Sequence, residues 1–146
     1  MTAPHLISMG KRVHALTRKF EQGQLCNRKT VVTVAYRRFA GAYEEIGHWV
    51  NHPLNHDQSR CSDRVGDCGC THSEPQAICD ILRNGSHLRG GDLILAVTYS
   101  PCTPCANIIA ASKVISEVWW LENTKHDMRG IDVLENSVRK ADLIAP

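Results

Sequence analysis

Four residues carry the chemistry of this chain: His72 and Glu74 in the stretch T-H-S-E-P-Q-A (71–77), and Cys102 and Cys105 in S-P-C-T-P-C (100–105). One histidine and two cysteines make three zinc ligands. They leave the fourth tetrahedral position for a water, as catalytic zinc sites require and closed structural sites do not. Glu74 follows His72 closely enough to handle that water's protons. Cys102 and Cys105 have a spacing that places both sulfurs on one side of a first helical turn, and a helix N-terminus favours ionised thiols. Pro75 suits a helix opening at His72 to Glu74, because the first turn lacks intrahelical partners for its N–H groups. Two helix N-termini facing one metal is the expected geometry.

Taken singly, these elements are ambiguous. P-C-x-x-C alone reads equally as a zinc half-site or a redox pair, and H-x-E alone means little. Their conjunction points to catalytic zinc, because a redox motif leaves His72 and Glu74 without a purpose. Cys26, Cys61, Cys68 and Cys70 are a second group. Four thiolates would close a tetrahedral structural site and hold a loop poor in apolar residues. Free or oxidised thiols, or a different fourth ligand such as His56, are the alternatives. Cys79 reads as a small core residue of a helix.

The elements that must position these groups follow from periodicity. Leu6, Met9, Val13, Leu16 and Phe20 mark an amphipathic helix ending before Gly23, with Lys11, Arg12, Arg18 and Lys19 on a solvated face. Residues 30–36 and 42–50 read as a hairpin turning around 39–41. Residues 51–70 lose all periodicity and read as a loop. A helix over 72–83 buries Ala77, Ile78, Ile81 and Leu82 and stops at Asn84-Gly85. Strands are predicted over 93–98, 118–121 and 138–144, and helices over 104–112 and 131–136. Trp119 and Trp120 must point to opposite faces of their strand. A hairpin followed by alternating helices and strands predicts an α/β fold in three layers, α/β/α, with a mixed five-stranded sheet and helices on both faces.

With 146 residues and a net charge of +2, the chain fits a single domain spanning 1–146 and is only mildly basic. Charge neither demands nor excludes a nucleic-acid partner. There is no N-terminal signal-like run and no stretch long enough to span a bilayer, so a cytoplasmic protein without membrane contact is expected. Seven cysteines, an odd number at metal-type spacing, argue for reduced thiols rather than a disulfide scaffold.

The H-x-E and P-C-x-x-C pair resembles the signature of zinc nucleobase deaminases. Across nearly the whole chain the sequence resembles the cytidine and deoxycytidylate deaminase superfamily, and within it phage-type dCMP deaminases. Residues Val97 to Ala106 follow the family pattern throughout, and Ser73 stands where alanine is usual. Cys26 to Val32 resembles the basic segment entering strand one, with bulkier residues replacing a glycine-alanine pair. Trp49 to Pro53 resembles the substrate loop, matching at Asn51 but lacking its glycine. Residues 124–127 lack the aromatic residue that relatives often carry near the nucleotide.

The resemblance implies zinc-dependent hydrolytic deamination, dCMP to dUMP plus ammonia. Glu74 would be catalytic, with His72, Cys102 and Cys105 on zinc. Asn51 would hold the sugar, Ser100 line the base pocket and Arg28 meet the phosphate. Bland readings stay open: Arg28 as a surface arginine, Ser100 as a shaper of the turn before Pro101. The resemblance also implies a second structural zinc on Cys26, Cys61, Cys68 and Cys70, a deoxynucleoside triphosphate effector and a homo-oligomer, the last also suggested by the paired tryptophans. The rival functions are a tRNA or single-stranded DNA base deaminase and an inactive zinc-stabilised interaction module. The first would need a basic groove with stacking aromatics, and the chain has two Phe, three Tyr and three Trp. An intact Glu74 argues against the second.

Overall fold

A computed structural model describes residues 3–65, 68–135 and 139–142. Its elements are α1 (Ala3–Glu21), β1 (Val32–Phe39), β2 (Ala42–Val50), α2 (Ser73–Asn84), β3 (Asp92–Tyr99), α3 (Thr103–Ser112), β4 (Glu117–Glu122), α4 (Arg129–Glu135) and β5 (Arg139–Asp142). The five strands form one mixed sheet in the order β2-β1-β3-β4-β5. β1 runs antiparallel to β2 and β3, while β3, β4 and β5 run parallel.

Strand periodicity sorts the core into two layers. Val32, Val34 and Tyr36 of β1, with Ile94 and Ala96 of β3, pack under Met9, Val13 and Leu16 of α1. The alternate residues, Ala35, Leu93, Leu95 and Val97, face Ala77, Ile78 and Ile81 of α2, Ala106 and Ile109 of α3, and Leu134 of α4. One helix therefore covers one face and three cover the other, in agreement with the predicted α/β/α layering. Trp119 packs with the α1 layer and Trp120 with the opposite one. Trp120 is buried and Trp119 half-buried.

Several boundaries differ from those predicted. β1 begins at Val32 and continues to Phe39, because the turn is only Ala40 and Gly41, both at positive φ (50° and 80°), the geometry of a two-residue hairpin. α2 ends as expected at Gly85, which takes the left-handed conformation at φ 75°. Leu82 and Cys79 lie on its exposed face, correcting their assignment to the core: Ala77, Ile78 and Ile81 already fill the buried stripe. The predicted ends of the last helix and strand, at 136, 138, 143 and 144, lie outside the described residues. The described residues of 51–70 are irregular apart from short 3-10 turns at Leu54–His56 and Gln58–Arg60 and an isolated bridge from His52 to Thr71. No helix among the described residues is long and apolar enough to cross a membrane.

Candidate active site and metal centre

Both helices that carry the pattern begin on it. His72 immediately precedes α2 and Cys102 immediately precedes α3, each with extended backbone and neither capping its own helix with its side chain. The two side chains converge instead. His72 Nδ1 lies 3.1 Å from Cys105 Sγ and 3.6 Å from Cys102 Sγ, and the three ligand atoms fall within 4.8 Å of one another. A tetrahedral zinc with one nitrogen and two sulfur ligands needs edges of roughly 3.5 Å, so the donor set and its spacing fit that ion. Hydrogen bonding from Cys105, then from His72, draws the Cys102 thiol down to about 4, and the partnership with Cys102 raises His72.

Glu74, in the first turn of α2, is 3% exposed, and its Oε1 accepts a hydrogen bond from Ser73 Oγ at 3.1 Å. Burial pushes its carboxyl above the usual range, against the opposing pull of His72. A buried carboxyl with a raised pKa is suited to carry protons in both directions.

The Cys102 turn is fastened from a distant segment. Thr103 N and Thr103 Oγ1 both donate to the Asp127 carboxylate at 2.8 Å, so α3 is capped by a residue from beyond β4. These bonds hold the Asp127 carboxyl below its usual range. Ser100 Oγ accepts from Thr124 N at 2.8 Å, Ser100 O accepts from Thr124 Oγ1, and Ser100 N donates to Glu122 O. Gly130, in α4, lies against the same turn: a Cβ there would sit 2.0 Å from Pro101 O and 2.9 Å from the Cys102 carbonyl carbon.

A cleft opens beside His72, Glu74 and Cys102, and Arg28, Lys29, Asn51, Ser100, Thr124 and His126 also line it. An adjoining recess shares Arg28, Lys29, Tyr99 and His126 and adds Lys125. All three residues expected to bind substrate are thus at the cleft. Asn51 is 6% exposed, with its Oδ1 accepting from Val31 N and its Nδ2 donating to Lys29 O, so it braces the backbone of the basic segment. Ser100 both lines the cleft and staples the turn after β4. Sequence reasoning missed Lys29 and His126. Lys29 is half-buried with Nζ 4.1 Å from the centre of the Tyr99 ring, and burial followed by Arg28 beside it lowers its pKa. Adjacency to Arg28 was the available signal for Lys29; for His126 it was the position of 124–127 in the region that the resemblance sets near the nucleotide.

The second cysteine group also assembles. Cys26 Sγ is 3.7 Å from Cys68 Sγ and 4.0 Å from Cys61 Sγ, and the sulfurs of Cys26, Cys61, Cys68 and Cys70 lie within 4.8 Å of one another. Four thiolates on one zinc are spaced by roughly 3.8 Å, against about 2 Å in a disulfide. The set fits a closed structural site. Backbone N–H groups, first of Asp63 and then of Asn27, bring the Cys61 thiol down to about 7. Cys26, and not His56, stands with the other three cysteines; the His56 ring stacks on His52 at 3.9 Å instead. The cysteines form a buried cluster separate from both apolar layers, which is what anchors the irregular loop.

The comparisons agree with this geometry. The family model of the cytidine and deoxycytidylate deaminase zinc-binding region matches residues 21–122, a span that contains both clusters and Glu74. The fold is similar to that of dCMP deaminase from the cyanophage S-TIM5 in complex with dCMP and dUMP, at 18% identity over 97% of this chain and 98% of that one, with a TM-score of 0.69. It is also similar to guanine deaminase from Nitrosomonas europaea (14% identity, 92% and 74% of the chains, TM-score 0.62). A tRNA:A34 deaminase shares it as well (14% identity, 95% and 97%, TM-score 0.56). No curated protein matches the chain in sequence. With more than half of its length under the family model, and the zinc donors gathered beside a buried glutamate, the chain belongs to the cytidine and deoxycytidylate deaminase family.

Proposed function

We propose that the protein hydrolyses the amino group of a cytosine deoxynucleotide, converting dCMP to dUMP and ammonia. The observation that carries this reading is a single cleft lined both by His72, Glu74 and Cys102 and by the cations Arg28 and Lys29. A nucleoside monophosphate has the matching combination, a reactive ring carbon and an anion in one small molecule. The likeness to a deaminase holding dCMP and dUMP supports the same assignment.

In this reading His72, Cys102 and Cys105 hold zinc, which when bound supplies an acidified water for addition at C4 of the base. Glu74 takes a proton from the attacking water, places it on N3 and later protonates the departing amine, so that water is consumed and ammonia released. Its burial keeps bulk water from competing for those protons. Asn51 fixes the Lys29 and Val31 backbone, and Arg28 with Lys29 receives the phosphate. Cytoplasmic action in pyrimidine nucleotide supply, assembly into a homo-oligomer and control by a deoxynucleoside triphosphate are proposals that rest on the family resemblance.

A second reading has one observation in its favour. The adjoining recess gathers Arg28, Lys29, Lys125 and His126 against one carboxylate, Glu122, an excess of cations able to meet further phosphates, as a single-stranded substrate would require. Ammonia release from dCMP, 5-methyl-dCMP, dCTP, deoxycytidine and a cytosine-containing oligonucleotide separates the two. Preference for a monophosphate is the expected result; turnover of the oligonucleotide alone would overturn the proposal in favour of the second reading, and no turnover of any member would overturn both.

A further inference from the structure

Two hydroxyls that no core-packing argument requires stand behind Glu74. Thr33 of β1 and Ser73 of α2 are each 0% exposed, and their oxygens are 2.8 Å apart. Thr33 shares its strand face with Ala35, which packs in the apolar layer under α2 and α3. A valine would fill Thr33's place there and an alanine that of Ser73. Buried hydroxyls in such a layer are costly unless bonded, so their pairing accounts for tolerance but not for presence.

The hydrogen-bond directions are fixed by one constraint. Ser73 Oγ donates its single proton to Glu74 Oε1 at 3.1 Å, so towards Thr33 it can only accept. The chain therefore runs one way, Thr33 to Ser73 to Glu74, across residues far apart in sequence. We propose that Ser73, oriented by Thr33, positions the Glu74 carboxylate by occupying Oε1 and reserving Oε2 for the proton that moves during deamination. Removing the hydroxyl leaves the carboxyl to its own backbone N–H and its contact with Cys105, which hold it less firmly about its last torsion, and divides the proton between two oxygens. Ser73 does not touch substrate in this scheme; it acts through Glu74. The inference rests on the proposed function for Glu74.

The test is a set of variants, Ser73→Ala, Thr33→Val and the double variant, with Glu74→Gln as reference, assayed for kcat, KM, zinc content and thermal midpoint. Ser73→Ala is expected to lower kcat about 10-fold, the lower end of what outer-shell partners of a metal site cost, with KM and zinc content unchanged. Its midpoint should fall, because Thr33 is left with a buried hydroxyl lacking an acceptor. The double variant removes that orphan: the midpoint should recover while kcat stays at the Ser73→Ala level. A purely structural hydroxyl pair predicts the opposite, kcat recovering with stability, and that result would overturn the inference, as would a wild-type kcat in Ser73→Ala. Turnover by Glu74→Gln would instead bring down the reading of Glu74. Should wild type act on no substrate offered, an unfolding cycle of Ser73→Ala against Glu74→Ala, which unlike Gln leaves no acceptor for the Ser73 hydroxyl, still reads the contact: coupled energies support it and additive ones refute it.

Discussion

Gly130→Ala probes how tightly the metal turn is held. A Cβ at Gly130 would meet Pro101 O at 2.0 Å and the Cys102 carbonyl carbon at 2.9 Å, where contacts under 3.0 Å essentially never occur. The backbone must open by about 1 Å, and the obstructing atoms are main chain, which cannot swing aside as a side chain would. If Pro101 and Cys102 yield, the Cys102 sulfur leaves a position that zinc tolerates to within about 0.2 Å. If α4 yields instead, it pulls on Asp127, whose carboxylate holds Thr103 at 2.8 Å and caps α3. Either route disturbs the same turn. Zinc affinity, read by competition with a chromophoric chelator, should fall by about 10- to 100-fold, with roughly 1–3 kcal/mol of stability lost to overpacking. Gly41→Ala is the control. It sits in the β1–β2 turn at φ 80° with open space around its Cβ, so it should cost stability and leave zinc affinity unchanged. A Gly130→Ala protein that binds zinc as tightly as wild type would refute the reasoning, because it would mean that α4 and the metal turn can separate freely.

Glu74→Gln should retain its metal and lose kcat by at least about 100-fold, since the isosteric amide keeps the shape but can neither take up nor release a proton; metal analysis with steady-state kinetics checks both halves. Arg28→Ala and Lys29→Ala should raise KM for dCMP by about 10-fold or more while leaving turnover of deoxycytidine unchanged, and equal effects on both substrates would place these cations elsewhere. Cys61→Ser should lower bound zinc from about two to about one per chain and destabilise the fold while the remaining ion supports turnover; unchanged metal content would rule out a four-thiolate site. Asp127 provides a pH test. Its folded-state pKa is depressed by Thr103, so its contribution is present above the unfolded carboxylate value of about 3.9 and is lost as pH falls through the folded value. The difference in denaturant midpoint between wild type and Asp127→Asn should therefore be larger at pH 7 than at pH 3, and a pH-independent difference would show that the carboxylate does not stabilise the turn.

How much was legible in the chain depended on the range over which each feature is determined. His72, Glu74, Cys102 and Cys105 could be read directly, because a ligand at the start of a helix and a second one turn later are local geometry, set by spacing and backbone conformation. The layering was legible for the same reason: Val32, Val34 and Tyr36 alternate with Thr33 and Ala35, and a period of two decides which face each residue takes. Leu82 and Cys79 went astray because their side of α2 is apolar without being needed; which apolar residue is left outside is settled by how much surface the sheet offers.

Tertiary structure alone decided what surrounds those four residues. Asp127 reaches Thr103 across 24 positions and Thr33 reaches Ser73 across 40, and Gly130 matters only because Pro101 happens to pass against it. Cys26 meets Cys61 across 35 positions, so the choice of a fourth cysteine over His56 could not be read from proximity in the chain. Periodicity constrains a residue's direction from its own element, but says nothing of what another element brings opposite it. The groups that carry the chemistry were therefore written locally, while the partners that orient them and the cleft that admits substrate came from packing the helices on the sheet.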